Sequence, residues 1–167
     1  MLKKVKREAN RMQMSKIVRT AANLLYPFVL TFGFYVIIHG HLTPGGGFQG
    51  GAVIATGTVL VIIAHEYSAV SKRITKDGMS IRESFGLLLF LVSALAALAV
   101  GGAFFANWLA NSGILLFGNP VPAGPNPGDL LTGGVVPIMN VAVGLEVWGG
   151  LSLILLYMLS SVSRGES

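Results

Sequence analysis

The sequence predicts an all-α integral membrane protein with four transmembrane helices and both termini cytoplasmic. Three observations carry that prediction. The 167 residues are 53% hydrophobic and only 11% charged, with a mean hydropathy of +0.70; a soluble domain carries about 25% charged residues. Four apolar runs follow one another along the chain, each long enough to cross a hydrocarbon core of about 30 Å at about 1.5 Å per residue. The 12 lysines and arginines lie only around the start of the first run, between the second and third, and after the fourth.

The first run extends from about Ile17 to Ile38, the second from about Gly50 to Tyr67, the third from about Ser84 to Ala106 and the fourth from about Gly134 to Ser160. Backbone groups in lipid must be satisfied within the segment or by a closed barrel. The third run, "SFGLLLFLVSALAALAVGGAFFA", has none of the strict alternation of a barrel strand, so the runs read as helices.

The bases set the orientation. Lys3, Lys4, Lys6, Arg7, Arg11, Lys16 and Arg19 precede or open the first helix. Lys72, Arg73, Lys76 and Arg82 lie between the second and third, and Arg164 follows the fourth. The other two loops hold no base, which places them outside and both termini in the cytoplasm. Residues 1–14 read as a basic cytoplasmic lead-in near anionic headgroups, residues 15–161 as the four-helix domain, and 162–167 as a cytoplasmic tail. A cleaved signal peptide is the other source of a basic start and an apolar run. The first run is too long for one, and no small-residue cleavage site precedes His39.

Several function classes fall away. The chain has no cysteine, which removes disulfides, thiolate metal sites and cysteine nucleophiles. The net charge of +5 and pI near 9.8 follow from membrane topology, so nucleic acid is not an expected partner and the bilayer is. No nucleophile–base set or metal cage is visible, and no cofactor or metal is expected in this chain.

The stretch "HGHLTPGGGFQGG", residues 39–51, joins the first two helices. Gly45-x-Gly47-x-x-Gly50 matches a dinucleotide fingerprint in form. That motif requires a preceding strand, a following helix of a βαβ unit and an acid about 20 residues on; here it lies between membrane spans, and Glu66 falls across the bilayer. His39 and His41 have no third ligand nearby. They read as interfacial histidines or, more sharply, as groups that titrate in a proton path. The physical reading of the glycines is packing: Pro44 fixes a turn, and small residues let membrane helices approach closely. Pro44, Gly45, Gly46, Gly47, Phe48, Gly50 and Gly51 are therefore candidates for a subunit contact or hinge. "LTGG", residues 131–134, precedes the fourth helix as "LTPGGG" precedes the second, too short a match to establish a repeat.

The long outer loop, "NWLANSGILLFGNPVPAGPNPGDLLTGG", holds Pro120, Pro122, Pro125 and Pro127 and a single charge, Asp129. It reads as an ordered cap. Pro27 lies within the first helix and predicts a bend, fixed or gating; Pro137 falls in the first turn of the fourth, where proline is tolerated.

Glu146 is the most informative single residue. It lies about 12 residues into the fourth run, roughly 18 Å deep. A charged group there costs at least about 2.5 kcal/mol on insertion scales. It is either a proton or sodium relay group or a protonated carboxyl that hydrogen-bonds a neighbouring helix. His41, His65 and Glu66 complete the ion-translocation candidates. His65 and Glu66 are adjacent, so they point in different directions at the cytoplasmic edge; they read as interfacial anchors rather than as a catalytic pair. Glu83 is expected to open the third helix and complement its dipole. Thr31, Thr56, Thr58 and Ser93 are expected to satisfy themselves on the carbonyl four residues back.

"GHLTPGGGFQGG" running into a small-residue helix, with Gly133-Gly134 and the Asn140–Val147 segment "NVAVGLEV", resembles the MnhB/MrpB family of membrane subunits found in Mrp-type multisubunit cation/proton antiporters. The resemblance covers the chain from about Ser15 to Ser161. It implies a multi-pass subunit in the cell membrane, within a large complex that exchanges sodium for protons. The implied partners are the other Mrp-type antiporter subunits, which are related to the membrane arm of respiratory complex I. Similar subunits also occur in membrane-bound hydrogenases and sulfur reductases, where the antiporter module is joined to an electron-transfer arm. The alternative is a scaffold subunit with no ion-moving group of its own. An independent channel is disfavoured, because one mid-bilayer carboxylate gives no continuous path.

Overall fold

A computed structural model describes residues 14–65, 67–114, 116–121, 123 and 128–165. Helices α1 (Lys16–Ile38), α2 (Gly47–His65), α3 (Lys76–Ala99) and α4 (Val136–Gly165) make up the domain, with a single helical turn at Tyr67–Val70 between α2 and α3. All four are long and apolar enough to cross a membrane, and the described residues contain no strand.

Helix α1 starts where Ser15 accepts the Val18 N–H at 3.3 Å, an N-cap that satisfies one of the helix's orphan donors. It continues through Pro27. The ring removes one intrahelical donor, and the Thr31 hydroxyl donates to the Pro27 carbonyl at 2.8 Å. The helix ends at Ile38, before Pro44 is reached. His39 stacks on Tyr35 with ring centroids 4.0 Å apart, and the N–H groups of Leu42 and Thr43 turn back onto the His39 carbonyl.

Helix α3 is displaced from its expected position. It begins at Lys76 rather than Ser84 and ends at Ala99 rather than Ala106. The cause lies at its ends. Thr75 caps the helix by accepting the Gly78 N–H at 3.1 Å, and Asp77 places an acid in the first turn, where it complements the dipole. Glu83, expected in that role, lies two turns further in. At the other end Gly101 takes a positive φ of 82°, and Gly102 donates back to the Ala97 carbonyl at 2.9 Å, a left-handed stop that ends a helix.

The helices form a row rather than a closed bundle: α3 packs on α4, α4 on α2, and α2 on α1, with a smaller α1–α4 contact. The inner position of α2 explains its composition. Its Gly, Ala and Thr residues leave no bulk between neighbours, and Gly50, Gly51, Ile54, Ala55, Gly57 and Thr58 are buried. A compact apolar cluster of Ile62, Val70, Met79 and Leu156 closes the row at the end of the α2–α3 connection.

The described residues of the loop before α4 are tied together by hydrogen bonds. The Asn107 amide donates to the Gly133 carbonyl at 3.0 Å and accepts the Val135 N–H at 2.7 Å. Gly133 and Gly134 hold φ of 94° and 63°, a turn that needs glycine. Asn119 donates to the Leu131 carbonyl and Gly134 to the Phe117 carbonyl.

Candidate functional site

Glu146 lies in the eleventh position of α4, about 15 Å from its start, on the side that meets α3. A Cβ at Gly86 of α3 would fall 2.5 Å from the Ala142 carbonyl and 2.6 Å from the Glu146 nitrogen. Only glycine lets the two backbones come this close. One turn along, Gly149 of α4 repeats the device against Met79 and Glu83: a Cβ there would lie 2.7 Å from the Glu83 nitrogen. The Glu83 carboxylate lies beside Gly150. Neither Glu83 nor Glu146 is more than partly buried, and neither carboxylate has a hydrogen bond or ion pair among the described residues.

The glycine-rich stretch uses most of its glycines inside the chain. Gly47 lies on the Asn140 carbonyl and Val143 of α4; Gly51 lies on Gly144, Val147 and Trp148; Gly50 lies on Gly33 and Ile37 of α1. Gly46 is buried too, whereas Pro44, Gly45 and Phe48 remain exposed, Phe48 by 62%. The side chain of Asn140 fits against Gly40 and Gly46, and its buried Nδ2 has no acceptor among the described residues. His41 joins the two loops at this end. Its Nε2 donates to the Asp129 carbonyl at 3.2 Å, its ring lies against Gly133, and its Nδ1 is buried with no hydrogen bond among the described residues. His41 and Glu146 therefore sit in separate parts of the chain, one among the loops and one at mid-span.

The opposite end holds His65, whose Nε2 meets Asn23 Oδ1 of α1 at 2.6 Å. An amide oxygen can only accept, so this nitrogen carries the proton. Glu66 lies outside the described residues. Lys76 donates to Ser160 Oγ at 2.6 Å and sits 4.3 Å from the Tyr157 ring centroid. Arg82 donates to the Gly78 carbonyl at 3.3 Å and stacks 5.0 Å from the Trp148 ring centroid.

Three hydroxyls behave as expected of threonine in a membrane helix. Thr31, Thr56 and Thr58 donate to carbonyls four residues back, and Ser93 uses the one three back. Thr58 does more. Its oxygen also accepts the Trp148 indole N–H at 3.2 Å, a cross-helix bond from α4 to α2. Sequence reasoning missed this pair, and it missed Asn107. A buried threonine on a glycine-rich face was the available signal for the first. No local signal marks the second, because its partners lie 26 and 28 residues away.

These features define a four-span integral membrane protein whose inner helices are drawn together through glycine and whose mid-span carboxylate has no partner among the described residues. The chain belongs to the family described as the domain related to the MnhB subunit of Na+/H+ antiporters, whose model matches residues 17–153. An uncharacterised protein of Methanocaldococcus jannaschii is 32% identical over 136 residues, which is 81% of this chain and 49% of that protein. A Na(+)/H(+) antiporter subunit of Bacillus subtilis is 30% identical over 91 residues, covering 54% of this chain and 63% of the bacterial protein. A chain in the structure of the membrane-bound sulfane sulfur reductase, an archaeal respiratory membrane complex, superposes with a TM-score of 0.69 at 36% identity. That match covers 88% of this chain and 59% of the other. The chain thus spans about half of the first of these relatives and under two thirds of the other two.

Proposed function

We propose that this chain is a membrane subunit of an Mrp-type cation/proton antiporter module in the cytoplasmic membrane, with both termini cytoplasmic. The family match over residues 17–153 carries this reading. The likeness to a sulfane sulfur reductase chain extends it to modules joined to an electron-transfer arm. Within the module Glu146 is the ion-translocation group, and His41, His65 and Glu66 are secondary candidates. A half-buried carboxylate without a partner among the described residues is completed by a cation or donor from a neighbouring subunit. The exposed Pro44, Gly45 and Phe48 form the subunit contact at the other level, while Gly46, Gly47, Gly50 and Gly51 hold the segment in place behind them.

A second reading has one observation in its favour. The glycines at 47, 50 and 51 and the glycine at 86 are all used to pack helices of this chain, as in a scaffold subunit that moves no ions.

The deciding experiment is a mild-detergent purification of the chain from its native membrane, with mass spectrometry of the proteins that accompany it. Antiporter subunits alone make it part of a stand-alone exchanger. Added metal-cluster or nickel subunits make it part of a redox-driven pump. A chain recovered without partners would overturn the proposal.

A further inference from the structure

A cavity of about 570 Å³ opens between α1, α2 and the α2–α3 connection, at the end of the helices where the bases cluster. Its polar lining is made by Asn23, Tyr26, His65 and Arg73, and its apolar lining includes Val61 and Ile74. No carboxylate lines it among the described residues. We propose that this cavity binds the phosphodiester headgroup of an anionic membrane lipid, with Arg73 as the principal charge and Asn23 as a hydrogen-bond donor.

Four observations converge. First, the fates of the neighbouring bases differ. Lys76 is engaged by Ser160 and Tyr157, and Arg82 by Gly78, Met79 and Trp148. Arg73 lines the cavity, and its guanidinium has no hydrogen bond or ion pair among the described residues. Second, the polar lining is set to donate. The His65 bond occupies Asn23 Oδ1, which leaves the Asn23 NH₂ for a ligand oxygen, and a guanidinium has donors only. A phosphodiester is an acceptor-only anion, and guanidinium pairs with it in a fork. Third, the lining is organised before any ligand arrives. The Asn23–His65 bond ties α1 to α2, and the Tyr26 ring lies over Gly57, where a Cβ would be 3.4 Å away. Fourth, the cavity combines polar and apolar lining at the end of the spans, the level at which headgroups lie. Basic pockets between membrane helices take lipid headgroups in this way. A soluble phosphate would use the polar lining but leave Val61 and Ile74 uncovered.

The test is native mass spectrometry of the full chain, in detergent, titrated with dioleoylphosphatidylglycerol, dioleoylphosphatidylcholine, or glycerol phosphate without acyl chains. Phosphatidylglycerol is expected to bind at least about fivefold more tightly than phosphatidylcholine, and Arg73→Gln to weaken it by about fivefold. Asn23→Ala is expected to weaken it further in the double variant. Lys72→Gln, an exposed base outside the cavity, is expected to leave it unchanged. Arg73 is exposed, so its variant keeps the helical circular dichroism of the parent. Equal binding of the two lipids, or an Arg73→Gln variant that binds like the parent, overturns the proposal. An equal loss in Lys72→Gln also overturns it, since that outcome means diffuse surface attraction. Glycerol phosphate binding as tightly as the lipid overturns the lipid assignment in favour of a soluble anion.

Discussion

Gly86 of α3 lies against the backbone of Glu146 of α4, so close that a Cβ at residue 86 would reach within 2.6 Å of the Glu146 nitrogen. The obstructing atoms are backbone and cannot swing away. Gly86→Ala must therefore push α3 off α4, and overpacking of this kind costs about 1–3 kcal/mol. Thermal unfolding of the purified chain in detergent, followed by tryptophan fluorescence, is expected to show a lower midpoint than the parent. An unchanged midpoint would mean that the two helices are not held at this distance.

Substitution at Glu146 separates chemistry from packing. Glu146→Gln preserves the volume and removes the ionisable group. Under the proposed function the variant enters the complex with the same subunits, while sodium-dependent proton exchange in everted vesicles falls by about tenfold or more. Glu146→Ala is expected to behave alike in transport. Normal exchange by both variants would sink the relay role and leave the scaffold reading.

The Trp148 indole bond to Thr58 is a polar link between α4 and α2. Thr58 is fully buried, so Thr58→Val leaves an indole donor without an acceptor, a loss of about 1–3 kcal/mol. Trp148→Phe removes the donor as well. Hydrogen bonds between membrane helices are worth about 0.6–2 kcal/mol. A double-mutant cycle on unfolding in detergent is expected to give a coupling of about that size. Additive single effects would show that the bond contributes nothing.

Hydropathy and charge made the spans legible, because lipid admits only helices and closed barrels, and the runs lack the alternation of a barrel strand. The ends were less legible. The position of α3 was set by Thr75, Asp77 and Gly101, which act through capping rather than hydropathy. The glycine stretch was recognisable as a packing device, but which helix each glycine meets depends on the order of helices in the row, and Gly51 against Gly144 is not encoded locally. The same holds for Asn140. Only the fold brings it to Gly40 and Gly46. Glu83 was misplaced for the reason that moved α3: an acid that precedes an apolar run by one residue need not open the helix.

Asn107 offers the sharpest test of the loop before α4. Its amide makes two bonds of opposite polarity, donating to Gly133 and accepting from Val135 at the mouth of α4. Asn107→Ala removes both and exposes the first orphan donors of the helix, and loss of a cap costs about 0.5–2 kcal/mol. Asn107→Asp keeps the acceptor, loses the donor, and adds a negative charge where the helix dipole favours one. The two variants should therefore differ. Limited proteolysis of the chain in detergent is expected to cut within residues 107–135 fastest in Asn107→Ala, with Asn107→Asp intermediate and the parent slowest. If Asn107→Asp is cut as fast as Asn107→Ala, the bond to Gly133 rather than the cap on α4 holds the loop. If neither differs from the parent, the loop is ordered by its other contacts and the clamp at Asn107 is incidental.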